Sequence, residues 1–283
     1  MGVRFGYADT SFGQLHYAEQ GSGPVLLLLH QTPRSWDEFR ELIPLLAPGH
    51  RVIAMDMVGF GASAALPAPQ TIEVFAAGAW ALLDALDIPA AAVLGHHTGA
   101  AVALEMAAAE PGRVEAVILS SCPWADAAYR AGHAGGGAVD RAEHTPDGRH
   151  LQTLWDLRRP YYPQPGTELL DRFVHDALTF GVDPAEGHRA CARYRMEDRI
   201  GAVRAPVLLL GAAADPFSIG NLPALRARLT GAPVVEEVIF PDGTVALIEY
   251  EAPGIADAVR RFLRVVRREP GRSANGANRS GRP

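Results

Sequence analysis

The sequence predicts an α/β protein: a doubly wound, mostly parallel sheet with an inserted helical lid. Three observations point there. Short apolar runs alternate with helical patterns, as expected of strands buried on both faces and joined by crossover helices. One of those runs ends in Gly95-His96-His97-Thr98-Gly99 and passes straight into an alanine-rich helical stretch. Finally, the rhythm stops after Pro123 for roughly 80 residues, too long for a plain loop inside a compact domain, and then resumes.

In chain order, Phe5–Ala8 and Leu15–Glu19 read as a strand pair around the turn Thr10-Ser11-Phe12-Gly13. Val25–His30 is a continuous apolar run, hence a buried strand. Ser35-Trp36-Asp37-Glu38 fits a capping box and predicts a helix to about Leu46. Arg51–Met55 is the next strand and Thr71–Leu86 a helix. Ala92–Leu94, Thr98–Ala109 and Val114–Ser121 give strand, helix and strand. Helical patterns near Leu151–Arg158, Glu168–Phe180 and Pro184–Arg195 fill the interruption, with a hinge-like Gly135-Gly136-Gly137 before them. Pro206–Leu210 and Val234–Phe240 resume the sheet, with Asn221–Leu229 and Pro253–Val266 as helices. The predicted organisation is a core of residues 1–122 and 205–267, a helical cap of 123–204, and a disordered tail of 268–283.

Composition narrows the classes. The 283 residues are 48% hydrophobic and 20% charged, which is ordinary for a soluble domain. A formal charge of -6, with no basic patch interleaved with aromatics, argues against nucleic acid as a partner. All 26 basic residues are arginine, so Schiff-base and lysine-nucleophile chemistry are excluded. Cys122 and Cys191 lie far apart without metal-ligand spacing and read as reduced thiols; no metal and no cofactor is expected. The longest apolar run, Val25 to Leu29, is far too short to span a bilayer, and residues 1–6 lack an apolar signal core. A cytoplasmic protein with a small-molecule substrate and no membrane partner is expected, with a homodimer as the alternative to a monomer.

The motifs resemble the α/β-hydrolase superfamily over residues 3–266. Gly95-His96-His97-Thr98-Gly99 looks like its nucleophile elbow, where the middle residue is normally serine, cysteine or aspartate. Leu29-His30-Gln31-Thr32-Pro33 sits where the family places its oxyanion turn, and Asp56-Met57-Val58-Gly59-Phe60-Gly61-Ala62-Ser63 is similar to its Asp-x-x-Gly-x-Gly-x-Ser turn. Gly211-Ala212-Ala213-Ala214-Asp215 ends the strand that delivers the triad acid in the family, and Glu251-Ala252-Pro253 resembles the segment opening its last helix. Two departures matter more. His97 stands at the nucleophile position, and the loop that should carry the catalytic histidine, residues 241–249, has none. Thr244 or Ala246 takes that place, depending on whether one counts from Gly243 or back from Pro253. Of the triad only the acid, Asp215, remains, so a base-activated hydroxyl cannot be assembled.

The resemblance therefore implies these site residues. The elbow points His97 into a pocket, and a histidine, longer than a serine, can fill the space of both missing partners and reach Asp215, directly or through a water. A carboxylate partner there would fix the tautomer and raise the imidazole pKa. Thr32 and Thr98 are the oxyanion-hole candidates through their backbone N–H groups. Gln31, Cys122, Trp124, His150, Trp155 and Tyr161 are candidates for substrate contact, with His133, His144, Tyr162 and His175 as further residues of the cap. His30 and Asp56 read as braces of turns, His96 as a local packing residue, and Asp242 and Glu249 as loop or helix-dipole residues rather than a replacement base.

Three functions follow. The first is a cofactor-free enzyme in which His97 and Asp215 supply acid/base catalysis and the Thr32 and Thr98 amides hold an enolate or alkoxide. Proton transfer, cyclisation, addition, decarboxylation and carbon–carbon bond formation on a carbonyl compound all suit those parts. The lysine-free, alanine- and arginine-rich composition fits a GC-rich bacterial genome and a natural-product substrate. The second is an ester or lactone hydrolase with His97 as nucleophile. The third is a non-catalytic ligand-binding protein.

Overall fold

A computed structural model describes residues 2–133, 140–163 and 166–268. The predicted Gly135–Gly137 hinge and all but the first residue of the predicted tail lie outside the described residues. Eight strands form one sheet: β1 (Arg4–Thr10), β2 (Gly13–Gln20), β3 (Val25–Leu29), β4 (Arg51–Met55), β5 (Ala91–His96), β6 (Val114–Ser120), β7 (Val207–Ala212) and β8 (Val235–Phe240). Their order is β1-β2-β4-β3-β5-β6-β7-β8. Pairing is antiparallel from β1 to β4 and parallel from there on, so the sheet is doubly wound and mostly parallel as predicted.

Burial on both faces explains the unbroken apolar runs. Leu27, Leu29, Ile53, Met55, Val93, Val117, Leu119, Val207 and Leu209 join one core cluster. Their neighbours Leu26, Leu28, Val52, Ala54, Leu94, Ile118, Leu208 and Leu210 join the other. Alternate side chains leave a strand on opposite faces, so both sets must be apolar. Helices α2 (Ile72–Ala85) and α3 (Thr98–Ala109) cover the first face, and α1 (Leu42–Leu46) and the last helix, α10 (Ala252–Arg268), cover the second. Each fully buried leucine contributes roughly 1.5–3 kcal/mol.

Local chemistry sets the boundaries. Thr71 caps α2 by accepting from the Val74 N–H at 3.2 Å. The single helix predicted from Ser35 is instead a 3-10 turn over Trp36–Phe39 followed by the short α1. Pro44 cannot donate to the Arg40 carbonyl, which breaks the run. Nor does Glu38 close a capping box, because both its oxygens are taken by Gln31.

Between β6 and β7 the chain forms α4 (Ala127–His133), α5 (Arg149–Arg158), α6 (Thr167–Ala177) and α7 (Glu186–Cys191), with 3-10 turns at Arg159–Tyr161, Met196–Asp198 and Ile200–Ala202. Helix α7 is shorter than the predicted Pro184–Arg195, because the chain turns back on itself after Cys191. Helix α8 (Leu222–Arg228) packs Leu222 and Leu225 into the first core. A short α9 (Leu247–Tyr250) precedes α10. Arg34, 0% exposed, binds Asp176 of α6 at 2.8 Å and Glu249 of α9, and Arg172 of α6 binds Asp37 and Glu41. Those ion pairs fasten α6 to the turn after β3.

Candidate active site

Strand β5 turns into α3 at His97, whose φ of 47° and ψ of -112° lie where non-glycine residues rarely go. The turn is tight enough to dictate its glycines. A Cβ on Gly95 would sit 2.0 Å from the Gly99 carbonyl oxygen, and one on Gly99 would sit 2.0 Å from the Leu29 carbonyl oxygen. The His97 N–H donates to the Ser120 carbonyl at 3.0 Å and fixes the turn to β6. The side chain at its tip faces a cavity of about 310 Å³.

The His97 Nε2 lies 3.0 Å from Asp215 Oδ2, across the gap between the ends of β5 and β7. The contact is of ion-pair length, yet the ring N–H is not aimed along it and completes no hydrogen bond. Asp215 is 0% exposed. Burial opposes its charge, but His97, the Ser218 hydroxyl and the Phe217 N–H together hold the carboxyl well below the usual carboxylate range. Asp215 is therefore a fixed anion. With Nε2 turned to it, the tautomer it favours carries the proton on Nε2 and leaves Nδ1 as the basic ring nitrogen.

His96 faces the other way. Its Nε2 bonds the Val245 carbonyl at 3.0 Å and its Nδ1 the Ser120 hydroxyl at 3.0 Å. Burial, and then the neighbouring His97, push its pKa down to about 3. It stays neutral, edge-on to the His97 ring at 4.6 Å. The loop that in serine-dependent relatives of this layout would bring a histidine is thereby occupied: Val245 is held by His96 and, through its N–H, by the Tyr161 carbonyl at 3.3 Å, while the Thr244 hydroxyl accepts from the Ala246 N–H. Neither Thr244 nor Ala246 reaches the cavity wall.

The turn after β3 forms the opposite wall. Thr32 and Thr98 share a hydrogen bond between hydroxyls at 3.0 Å, and both line the cavity. Thr98 is the first residue of α3, where N–H groups have no acceptor within the helix. Gln31 also lines the cavity, but its N–H and side-chain amide are spent on Glu38, at 2.8 and 2.7 Å. Helix α7 presses on this turn: a Cβ on Gly187 would meet the Thr32 hydroxyl at 2.0 Å. His30 and Asp56 brace turns, His30 accepting from the Met57 N–H and Asp56 from the Trp36 and Ala62 N–H groups.

Of the sequence-derived residues for substrate contact, Gln31 alone lies in this cavity wall. Cys122 is buried beneath it and bonds the Pro123 carbonyl. Trp124 bonds Asp126 and lies under the Arg228 guanidinium. His150 pairs with His144 on α5, Trp155 packs in the cluster of the insert, and Tyr161 packs its ring on Phe217. These five are corrections: none of them lines the cavity, and each side chain is engaged by the contact just given. His133 does line the cavity, together with Pro123, Tyr129, Arg158, His188, Cys191, Phe217 and Asn221. Arg158 and His188 converge on Asp140: the guanidinium engages it through Nε and Nη2, and His188 Nε2 approaches it to 2.7 Å. Histidine 188 and Arg158 carried no sequence signal, since only the fold brings α5, α7 and Asp140 together. Among the described residues, no group of three or more His, Cys, Asp or Glu side chains is arranged to hold a metal ion, and no helix is long and apolar enough to cross a membrane.

Comparison with known proteins identifies the fold family. A family model described as alpha/beta hydrolase fold matches residues 24–249. Bifunctional epoxide hydrolase 2 of Mus musculus is 39% identical over 126 residues, 43% of this chain but 23% of that protein. An epoxide hydrolase of Caballeronia sordidicola is 38% identical over 114 residues, 39% of this chain and 34% of that protein. The alignments thus span 23% and 34% of these two relatives. Among solved structures, a hydrolase from Pseudomonas aeruginosa PA01 superposes with a TM-score of 0.77 at 22% identity, covering 92% of this chain and 98% of that one. An epoxide hydrolase from an endophytic Streptomyces gives 0.74 at 23% identity, covering 94% and 97%. At such identities the superpositions speak for the fold alone.

Proposed function

The chain belongs to the alpha/beta hydrolase family, and from that premise we propose that it is an enzyme whose His97–Asp215 dyad acts as general base and acid on a carbonyl-bearing small molecule. One observation carries this reading: the elbow presents an imidazole, and its Nε2 lies 3.0 Å from a buried carboxylate. The ring fills the space in which a triad would place its base, so the base is retained and the hydroxyl is dispensed with. Nδ1 then takes a proton from substrate, or from a water, and returns it later in the cycle. Asp215 stabilises the imidazolium formed in between. In this reading the N–H groups of Thr98 and Thr32, whose hydroxyls share a hydrogen bond, steady the oxygen on which negative charge develops. Non-hydrolytic proton transfer, cyclisation, addition, decarboxylation or carbon–carbon bond formation fits these parts, and natural-product chemistry is the substrate class we favour.

A second reading is favoured by the elbow itself, which in this family presents a nucleophile: Nδ1 attacks an ester or lactone, and water releases the acyl group. The experiment separates the two. The protein is incubated in deuterium oxide with a panel of 1,3-dicarbonyl compounds and with aryl esters, as wild type and as His97→Gln. Base catalysis gives deuterium at the acidic carbon that depends on His97. Nucleophilic attack gives a burst of phenol and an acyl adduct on His97. Exchange and ester cleavage unchanged in His97→Gln would refute both and leave a ligand-binding protein.

A further inference from the structure

The far wall of the same cavity has a different character from the dyad. Arg158, His133 and His188 line it beside His97, and among the described residues no aspartate or glutamate does. Its charged member is held with unusual care. The Arg158 side chain is 9% exposed and Asp140 3%, and the carboxylate takes the Nε–Nη2 corner of the guanidinium. That leaves the Nη1 corner as the one that can meet a ligand. Phe173 packs its ring 4.8 Å from the guanidinium carbon and holds the plane of the fork. His188 Nε2 meets the same Asp140 oxygen, Oδ2, as Arg158 Nη2, and its side chain is 32% exposed. Burial opposes the arginine's charge, and Asp140 more than restores it, so Arg158 remains a cation.

We infer that this cluster is a recognition site for a carboxylate, and that the substrate of the dyad is a carbonyl compound bearing a second, anionic carboxyl group. The inference deepens the reading of His97 and Asp215 as catalysts and rests on it only for the word substrate; binding itself does not require turnover. A guanidinium oriented by a buried carboxylate on one corner offers a planar two-donor edge to another carboxylate on the next. His188, on the same aspartate, flanks this edge. A neutral isostere, such as the primary amide, brings its own N–H groups against these donors and forfeits the charge-assisted bonds. At about 310 Å³ the cavity sits at the small end of ligand pockets, so one molecule can touch both Arg158 and His97.

The test is a comparison of dissociation constants for phenylacetate and phenylacetamide, and for hexanoate and hexanamide, measured by calorimetry on the full-length protein. The carboxylates should bind about tenfold or more tighter than their amides, and the preference should weaken as salt is raised. Arg158→Met alone strands Asp140, so the informative variant is Arg158→Met with Asp140→Asn, which removes both charges at once. It should bind acid and amide equally. His97→Gln should keep the preference of the wild type, which separates this inference from the catalytic one. Carboxylates that bind no better than amides in the wild type, down to no binding at all, overturn it. So does a preference that survives in the double variant.

Discussion

Glu38 is the most revealing place to perturb the protein by substitution. It is 0% exposed, and its two oxygens accept from the Gln31 N–H and side-chain amide at 2.8 and 2.7 Å. Burial, reinforced by the nearby Glu249, pushes its pKa from 4.5 to about 8, although Arg34 and the two Gln31 donors pull the other way. In the unfolded chain the group ionises at its ordinary value, while in the folded chain it holds its proton. The stability this gives is complete below the unfolded pKa and is lost as pH climbs toward 8. At about 1.4 kcal/mol per pH unit, the wild type should forfeit up to about 4 kcal/mol between pH 5 and pH 8. Glu38→Gln removes the titration but points an NH2 group at one Gln31 donor, at a cost of about 1–2 kcal/mol. Urea unfolding at pH 5, 6, 7 and 8 should therefore show the variant less stable at pH 5 and more stable at pH 8, with the curves crossing between about pH 5 and pH 6. The groups common to both proteins cancel in the difference. Parallel stability curves would mean that Glu38 titrates alike in both states, and the burial argument would be wrong.

Three further outcomes follow from geometry already described. Gly99→Ala places a methyl group 2.0 Å from the Leu29 carbonyl oxygen, a backbone atom that cannot step aside, so thermal unfolding should show a loss of more than about 4 kcal/mol or no folded protein. Arg34→Met leaves Asp176 and Glu249 as buried carboxylates without their cation, and chemical denaturation should register a loss of about 3–5 kcal/mol, with a native-like result refuting the pairing. Asp215→Asn should lower the His97-dependent exchange rate by about 10²–10⁴ while leaving carboxylate affinity intact, since the tautomer is lost but Arg158 is untouched; equal rates would place Asp215 outside the chemistry.

How much the sequence disclosed depends on what was asked of it. Strands β3 to β7 are legible because burial on both faces demands unbroken apolar runs, and Arg51–Met55 is matched at both ends. Thr71 announces α2 because its hydroxyl is a cap. The segment after Ser35 misleads, because the glutamate of a capping box is indistinguishable in sequence from one recruited by a residue seven positions earlier. In the site, two glycines around a histidine and an aspartate at a strand end suffice to suggest a dyad, since strand ends share one edge of a sheet. The insert is opaque for the opposite reason. Its helices are short and polar, so periodicity does not say which side chains turn inward, and Arg158 and His188 become neighbours through an aspartate that no spacing rule connects to either.

The buried ion pairs of Arg34 and Arg172 carry a mechanical consequence. They rivet α6 to the core at the turn after β3, so that edge of the insert cannot swing without stranding charges in the interior. Elsewhere in the cavity wall α4 and α7 present Tyr129, His133 and His188. The turn that carries Thr32, by contrast, is clamped to the insert through charges that cannot part cheaply.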